Sequence, residues 1–220
     1  MCAIGFIITP DSIHLYSDGY SQNAETGEEQ WDYSKIYKHG GEAMLSMGYW
    51  EQSFYEKVTS LKGPASEIAS KASEMLKAYF DEHELPEGHE TQLFVFGFGM
   101  DGNPQFYHID SRNDFDIVAP DLNKIMGPMF AGMALNGVDE NAHFLNLVYE
   151  NYLRNQRLAR EDGDTDKSLH EIGLETFKGV IEKYKDRGHF GGEIFSHFIG
   201  MLYGPGMESN NGEVLQCKRY

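Results

Sequence analysis

What most constrains this chain is the order in which two hydrophobic periods follow one another along it. Cys2 to Thr9 is a compact apolar run, Pro10-Asp11 signals a turn, and Ser12 to Ser17 alternates, with Ile13 and Leu15 set against His14 and Tyr16. That spacing predicts two strands joined by a tight turn. Residues 19–32 are polar and read as a loop, after which Ser34 to His39 and Ala43 to Gly48 predict two more strands about Gly40-Gly41. The period then changes. Phe54, Tyr55 and Val58 share a helical face between Trp50 and Leu61. Ile68, Ala72, Met75, Leu76 and Tyr79 form the stripe of a second helix, which opens with Pro64 at its first position.

The same sequence of events repeats. Thr91 to Gly99 is a continuous apolar run, as expected of a strand covered on both faces. Asp101-Gly102-Asn103-Pro104 is a turn, and Gln105 to Asp110, Phe115 to Val118 and Met129 to Met133 read as strands. A third helix is predicted from Ala142, Leu145, Val148, Tyr149 and Tyr152, followed by a charged solvent loop over Arg154 to Asp166. A fourth is predicted from Leu169, Ile172, Phe177, Val180, Ile181 and Tyr184, ending at Arg187-Gly188. Gly191 to Tyr203 and Glu213 to Lys218 read as closing strands. Strands, two helices, strands, two helices, strands: the arrangement that buries both faces of such strands is two sheets face to face with a helix pair outside each. The expectation is an α+β fold, a four-layer αββα sandwich formed as a single domain over residues 1–220.

Charge narrows the partners. The chain carries 18 Lys and Arg against 35 Asp and Glu, a formal net charge of −17. A surface of that sign repels phosphate backbones and anionic lipid, so neither nucleic acid nor a membrane is an expected partner. No apolar run approaches the ~20 residues of a membrane helix, and no basic leader precedes the first strand, so a cytoplasmic location is expected. Cys2 and Cys217 are the only cysteines. They are too few for a thiolate metal site, and a structural disulfide is not expected in a reducing compartment. The histidines show no close ligand spacing, with His39, His83, His89 and His108 scattered in surface or satisfied roles. No metal and no cofactor is expected.

Cys2 is the residue with chemistry. Removal of Met1 would place a thiol and a free α-amine on one residue. With reference values of ~8.5 for the thiol and ~7.7–8.0 for the amine, the amine can serve as general base near neutrality without a histidine. Three features cluster around that possibility. Asp18 ends the second strand, where hairpin pairing would bring it toward the N-terminus. Lys35 follows the polar loop, and a lysine beside a thiol stabilises the thiolate. Gly48 ends a strand before a helix, where its N–H could meet a developing oxyanion.

In this order Cys2, Asp18, Lys35 and Gly48 resemble the proteasome-like N-terminal nucleophile hydrolases, the family of proteasome β-subunits and of the bacterial HslV and Anbu proteins. The Asp18-Gly19 pair is especially similar to HslV, and Asp186-Arg187-Gly188-His189 before Gly191-Gly192 looks like the family's Asp-x-x-Ser-Gly-Gly turn. The resemblance implies the αββα sandwich and a catalytic set of Cys2, Asp18, Lys35, Gly48, Asp186 and His189. It also implies cleavage of peptide or other amide bonds, and self-assembly into a ring or other homo-oligomer whose chamber admits peptides or unfolded protein. Any ATP-dependent unfoldase would be a separate protein, since this chain has no Gly-rich phosphate-binding loop. The sequence departs from the family in five places, the first being a loop between Asp18 and Lys35 one residue longer than usual. Cys stands for the usual Thr, Tyr20 for a frequent Arg, Asn136-Gly137 for a frequent Ser, and His189 for the Ser of the supporting turn, with Phe190 inserted. Two further readings follow from these departures: a non-catalytic scaffold or assembly subunit, and a small-molecule amidohydrolase with an N-terminal Cys.

Overall fold

The computed structural model describes residues 3–23, 26–122, 129–135, 141–162, 167–184 and 191–200. These residues form a mixed α+β protein of antiparallel sheets and four α-helices. Strands β1 (Ala3–Ile8), β2 (Ser12–Asp18), β10 (Phe130–Leu135) and β11 (Ile194–Gly200) make one sheet in the order β10-β1-β2-β11. Strands β5 (Ile36–His39), β6 (Glu42–Gly48), β7 (Thr91–Phe98), β8 (Pro104–Asp110) and β9 (Ile117–Val118) make the second, in chain order. β3 (Ser21–Gln22) and β4 (Glu29–Gln30) pair as a short ribbon.

The alternation along β1 and β2 sorts side chains between two cores. Ile4, Phe6, Ile8, Ile13 and Leu15 meet Leu45, Met47, Phe94 and Phe96 of the second sheet, so one apolar layer lies between the sheets. Phe6 sits at its centre, with ring centroids 4.9 Å from Phe106 and 5.3 Å from Phe96. The opposite parity, Ala3, Ile7 and Tyr16, packs with Phe144, Val148, Phe177 and Ile181 of helices α3 (Asn141–Asp162) and α4 (Leu169–Tyr184). A third layer joins Met44, Leu93, Val95 and Ile109 to Phe54, Val58, Ile68 and Leu76 of helices α1 (Gln52–Thr59) and α2 (Ala65–Glu82). β1, β2, β6 and β7 are therefore covered on both faces, which is why their sequences are apolar nearly throughout.

Local signals set the helix starts. The Glu51 carboxylate accepts the N–H groups of Ser53 and Phe54 at the start of α1, and those bonds hold its pKa below the ordinary glutamate value. Ser168 and Glu171 exchange hydrogen bonds as a capping box at α4, with Glu171 Oε2 accepting Ser168 N–H at 2.8 Å and Ser168 Oγ accepting Glu171 N–H at 3.3 Å.

Four expectations need correction. Residues 19–32 are not wholly loop, because they hold the β3–β4 ribbon, with the Tyr20 ring packed edge-on against Trp31. The stretch from Arg154 is not a solvent loop, since α3 runs on to Asp162. Pro64 is the cap of α2 rather than its first residue. Tyr149, placed in the apolar stripe, is 44% exposed. The last predicted strand, Glu213 to Lys218, lies outside the described residues.

Candidate active site

The end of β2 is where elements distant in sequence converge. The tight turn after β1, closed by Thr9 N–H donating to Ser12 O at 2.8 Å, sets a register in which Ile4 faces Ser17. One residue further out, Ala3 N–H donates to Asp18 Oδ1 at 2.9 Å. On the other side of β2, the pairing of Ile194 with Asp18 carries the chain back to Gly191, whose N–H donates to Asp18 Oδ2 at 3.2 Å. From the second sheet, Lys35 Nζ donates to Asp18 Oδ1 at 2.5 Å and to the Asp18 carbonyl at 2.8 Å. Asp18 is 0% and Lys35 3% exposed.

A buried ion pair is tolerated only when hydrogen bonds replace the lost water. Asp18 meets that condition with two backbone N–H groups and an ammonium. The surroundings hold the arrangement firmly. Gly19 N–H donates to Gly191 O at 3.0 Å, Tyr33 N–H to Gly19 O at 3.0 Å, and Glu193 N–H to Trp31 O at 2.8 Å. Gly192, at φ +76, lies so close that a Cβ there would fall 2.1 Å from Trp31 O.

Gly48 ends β6 beside this centre. Its φ is +95, and a Cβ would fall 1.9 Å from Glu90 O, so only glycine fits. Ser46 N–H is directed at Lys35 O (3.4 Å), and Tyr49 N–H donates to Glu90 O in the loop before β7. N–H groups alternate sides along an antiparallel strand, so Gly48 N–H points to the same side as Ser46 N–H, where Lys35 lies. β5 begins only at Ile36, and the chain before it turns away toward Gly19.

The structure thus brings Asp18, Lys35 and Gly48 to one end of the two sheets. Cys2, Asp186 and His189 lie outside the described residues, as do Asn136-Gly137 and Phe190. Two groups were not anticipated as site members. Ser17 is fully buried, on the parity of Ile13 and Leu15 that faces the second sheet, and its hydroxyl has no hydrogen-bond partner. The period of two along β2 already marked a polar residue at an inward position. The second is a string of hydroxyls on the helix-covered face of the second sheet. Tyr55 OH donates to Tyr37 OH at 2.6 Å, Tyr37 OH to Tyr33 OH at 3.1 Å, and Ser46 Oγ lies 2.7 Å from Tyr55 OH. Burial pushes the Tyr37 and Tyr55 phenols far above the ordinary value, so both stay neutral.

Among the described residues no group of three or more His, Cys, Asp or Glu side chains is arranged to hold a metal ion, and no helix is long and apolar enough to cross a membrane. No protein-family model matches this chain, and no curated protein matches it. The grounds for any assignment are therefore the Asp18–Lys35 centre and the elements that build it.

Proposed function

We propose that the chain is a proteasome-like N-terminal nucleophile hydrolase, a four-layer αββα sandwich that cleaves amide bonds with Cys2 after Met1 is removed. One observation carries the reading. The Asp18 carboxylate binds both the N–H of Ala3, the residue covalently next to Cys2, and the Lys35 ammonium, out of contact with water. An ammonium held close to a thiol favours the thiolate. Asp18 holds that ammonium in place.

In this mechanism the α-amine of Cys2 takes the thiol proton, and the sulfur attacks the amide carbonyl. Gly48 N–H stabilises the oxyanion that forms. The intermediate collapses as the Cys2 ammonium protonates the departing amine, leaving a thioester. Water, deprotonated by the same amine, hydrolyses the thioester and restores the thiol. Peptides or unfolded protein are the substrate class, reached through a ring or other homo-oligomer. Asp186 and His189 would support the Cys2 amine.

The test has three parts. Intact mass of protein purified from cells should show loss of Met1. A panel of peptide amides should be turned over by the native chain and not by Cys2→Ala. Size-exclusion mass should report an oligomer. Retention of Met1, or equal activity in Cys2→Ala, sinks the mechanism and favours the scaffold reading. A small oligomer active only on low-molecular-weight amides favours the small-molecule amidohydrolase.

A further inference from the structure

A second polar centre lies at the opposite end of β2 from Asp18, on the face covered by α4. Six side chains form one unbroken chain. Thr9 Oγ1 donates to Asp11 Oδ1 at 2.7 Å and lies 2.6 Å from Ser12 Oγ. Ser12 Oγ lies 2.9 Å from His14 Nε2, and His14 Nδ1 lies 3.2 Å from His170 Nδ1. His170 Nε2 lies 3.1 Å from Ser196 Oγ. The members come from the β1–β2 turn, from β2, from the first turn of α4 and from β11. His14 is 4% and Ser196 1% exposed.

Burial keeps both imidazoles neutral, and counting protons then fixes the direction of every bond. A carboxylate only accepts, so the Thr9 hydroxyl donates to Asp11. Ser12 then donates to Thr9, and His14 must donate its Nε2–H to Ser12. That leaves His14 Nδ1 as an acceptor, so His170 donates its Nδ1–H, and Ser196 donates to His170 Nε2. The two imidazoles are thus opposite tautomers, with a single proton between the facing Nδ1 atoms. We propose that this histidine pair is a proton-operated latch, which holds the first turn of α4 on β2 and β11 while its rings are neutral and releases it when both are protonated.

The first added proton goes to His170 Nε2 and reverses its bond to Ser196, whose hydroxyl oxygen then accepts. A second, on His14 Nδ1, would set two N–H groups facing each other at hydrogen-bond distance, and the contact must open. The charged and titratable groups around the pair set the balance. Asp11, from the turn, and Glu171, on α4, favour protonation. His170 opposes it at His14. His197, on the other face of β11, is itself kept neutral by burial and by Lys38 of β5. The N-terminal end of α4 carries positive partial charge and disfavours a cation at its second residue. Burial lowers both histidines, His14 to about 3. Protons have a route in, because a cavity of about 340 Å3 lined by Asp11, Ser12, His14, Met129, Tyr152 and Leu169 adjoins the chain.

Hydrogen exchange of the full-length protein tests the latch. After correction for intrinsic exchange, opening of residues 169–174 in the native protein should rise by up to about a hundredfold per pH unit as two protons are taken up on acidification. His170→Gln, which hydrogen-bonds without ionising, should cut that dependence to about tenfold per pH unit, the share of His14 alone. Unchanged protection in the native protein between pH 7 and pH 4.5, or the same pH dependence in His170→Gln, overturns the proposal. If His170→Gln does not fold, imidazole 15N spectra of the native protein decide. At pH 7 they should show His14 protonated on Nε2 only and His170 on Nδ1 only. Any other pair of protonation states overturns it.

Discussion

Lys35 Nζ donates twice to Asp18, to Oδ1 at 2.5 Å and to the backbone carbonyl at 2.8 Å, so one ammonium ties the end of β2 to the start of β5. The contact joins the two sheets as well as two charges. Removing one partner leaves the other buried and uncompensated. Lys35→Met should therefore destabilise the fold by about 3–5 kcal/mol in urea unfolding. The double variant Asp18→Asn, Lys35→Met should recover part of that loss. A double variant as unstable as the sum of the two single changes would mean the two residues act independently.

Gly48 cannot take a side chain. Its φ of +95 and the 1.9 Å from a would-be Cβ to Glu90 O require the β6–β7 pairing to shift. Gly48→Ala should cost about 2–4 kcal/mol from backbone strain and displacement together. Far-ultraviolet circular dichroism against temperature reads this without reference to activity. A melting temperature within a degree of the native value would refute the close approach.

Two glycines of α4 should respond in opposite directions to one substitution. At Gly179 nothing lies within 4 Å of the Cβ position, so Gly179→Ala should stabilise by about 0.5–1 kcal/mol through helix propensity. At Gly173 the same atom would fall 2.2 Å from Tyr16 Oη and 2.6 Å from Ile7 Cδ1. Gly173→Ala should destabilise by about 1–3 kcal/mol, as overpacking does. The midpoints of denaturant titrations on the two variants, compared side by side, are the readout, and equal shifts would contradict the packing of α4 on β1 and β2.

How much of this was legible beforehand differs by element. The doubly covered strands announced themselves, because Leu93-Phe94-Val95-Phe96 and Ile4 to Ile8 leave no face for water. The outer half of α3 did not. Past Tyr152 it has no stripe to read, and Leu153 on it is 50% exposed, so only intrinsic propensity marked the helix. Asp18 stood out because it ends a strand, and Lys35 because it follows the polar loop. The histidine chain was invisible, since its two imidazoles are 156 residues apart and meet only through the docking of α4.

Acid should weaken the fold well above the range where most carboxylates titrate. His14 is lowered from 6.5 to about 3 and His197 to about 4, both chiefly by burial. A depressed histidine pKa means the unfolded chain binds more protons in between, so stability falls as pH drops from about 6.5 toward 3 and is level above that window. By linkage the His14 share is on the order of 2–5 kcal/mol. Urea midpoints at pH 7 and pH 4.5 should separate accordingly, and His14→Gln should narrow the separation. Identical midpoints would show that His14 is not held neutral by the fold.

The two-sided sorting of β1 has a consequence for the start of the chain. Ile4, Phe6 and Ile8 fill one core while Ala3 and Ile7 fill another, and Gly5 leaves room for the Phe177 ring. Sliding the strand by a single position would put Ala3 and Gly5 where Ile4 and Phe6 pack, and force Ile4 and Phe6 into the places of Ala3 and Gly5. The interior therefore acts as a ruler with one-residue graduations, and which residue lies against Asp18 is decided by counting from Phe6, whatever is trimmed from or added to the free end.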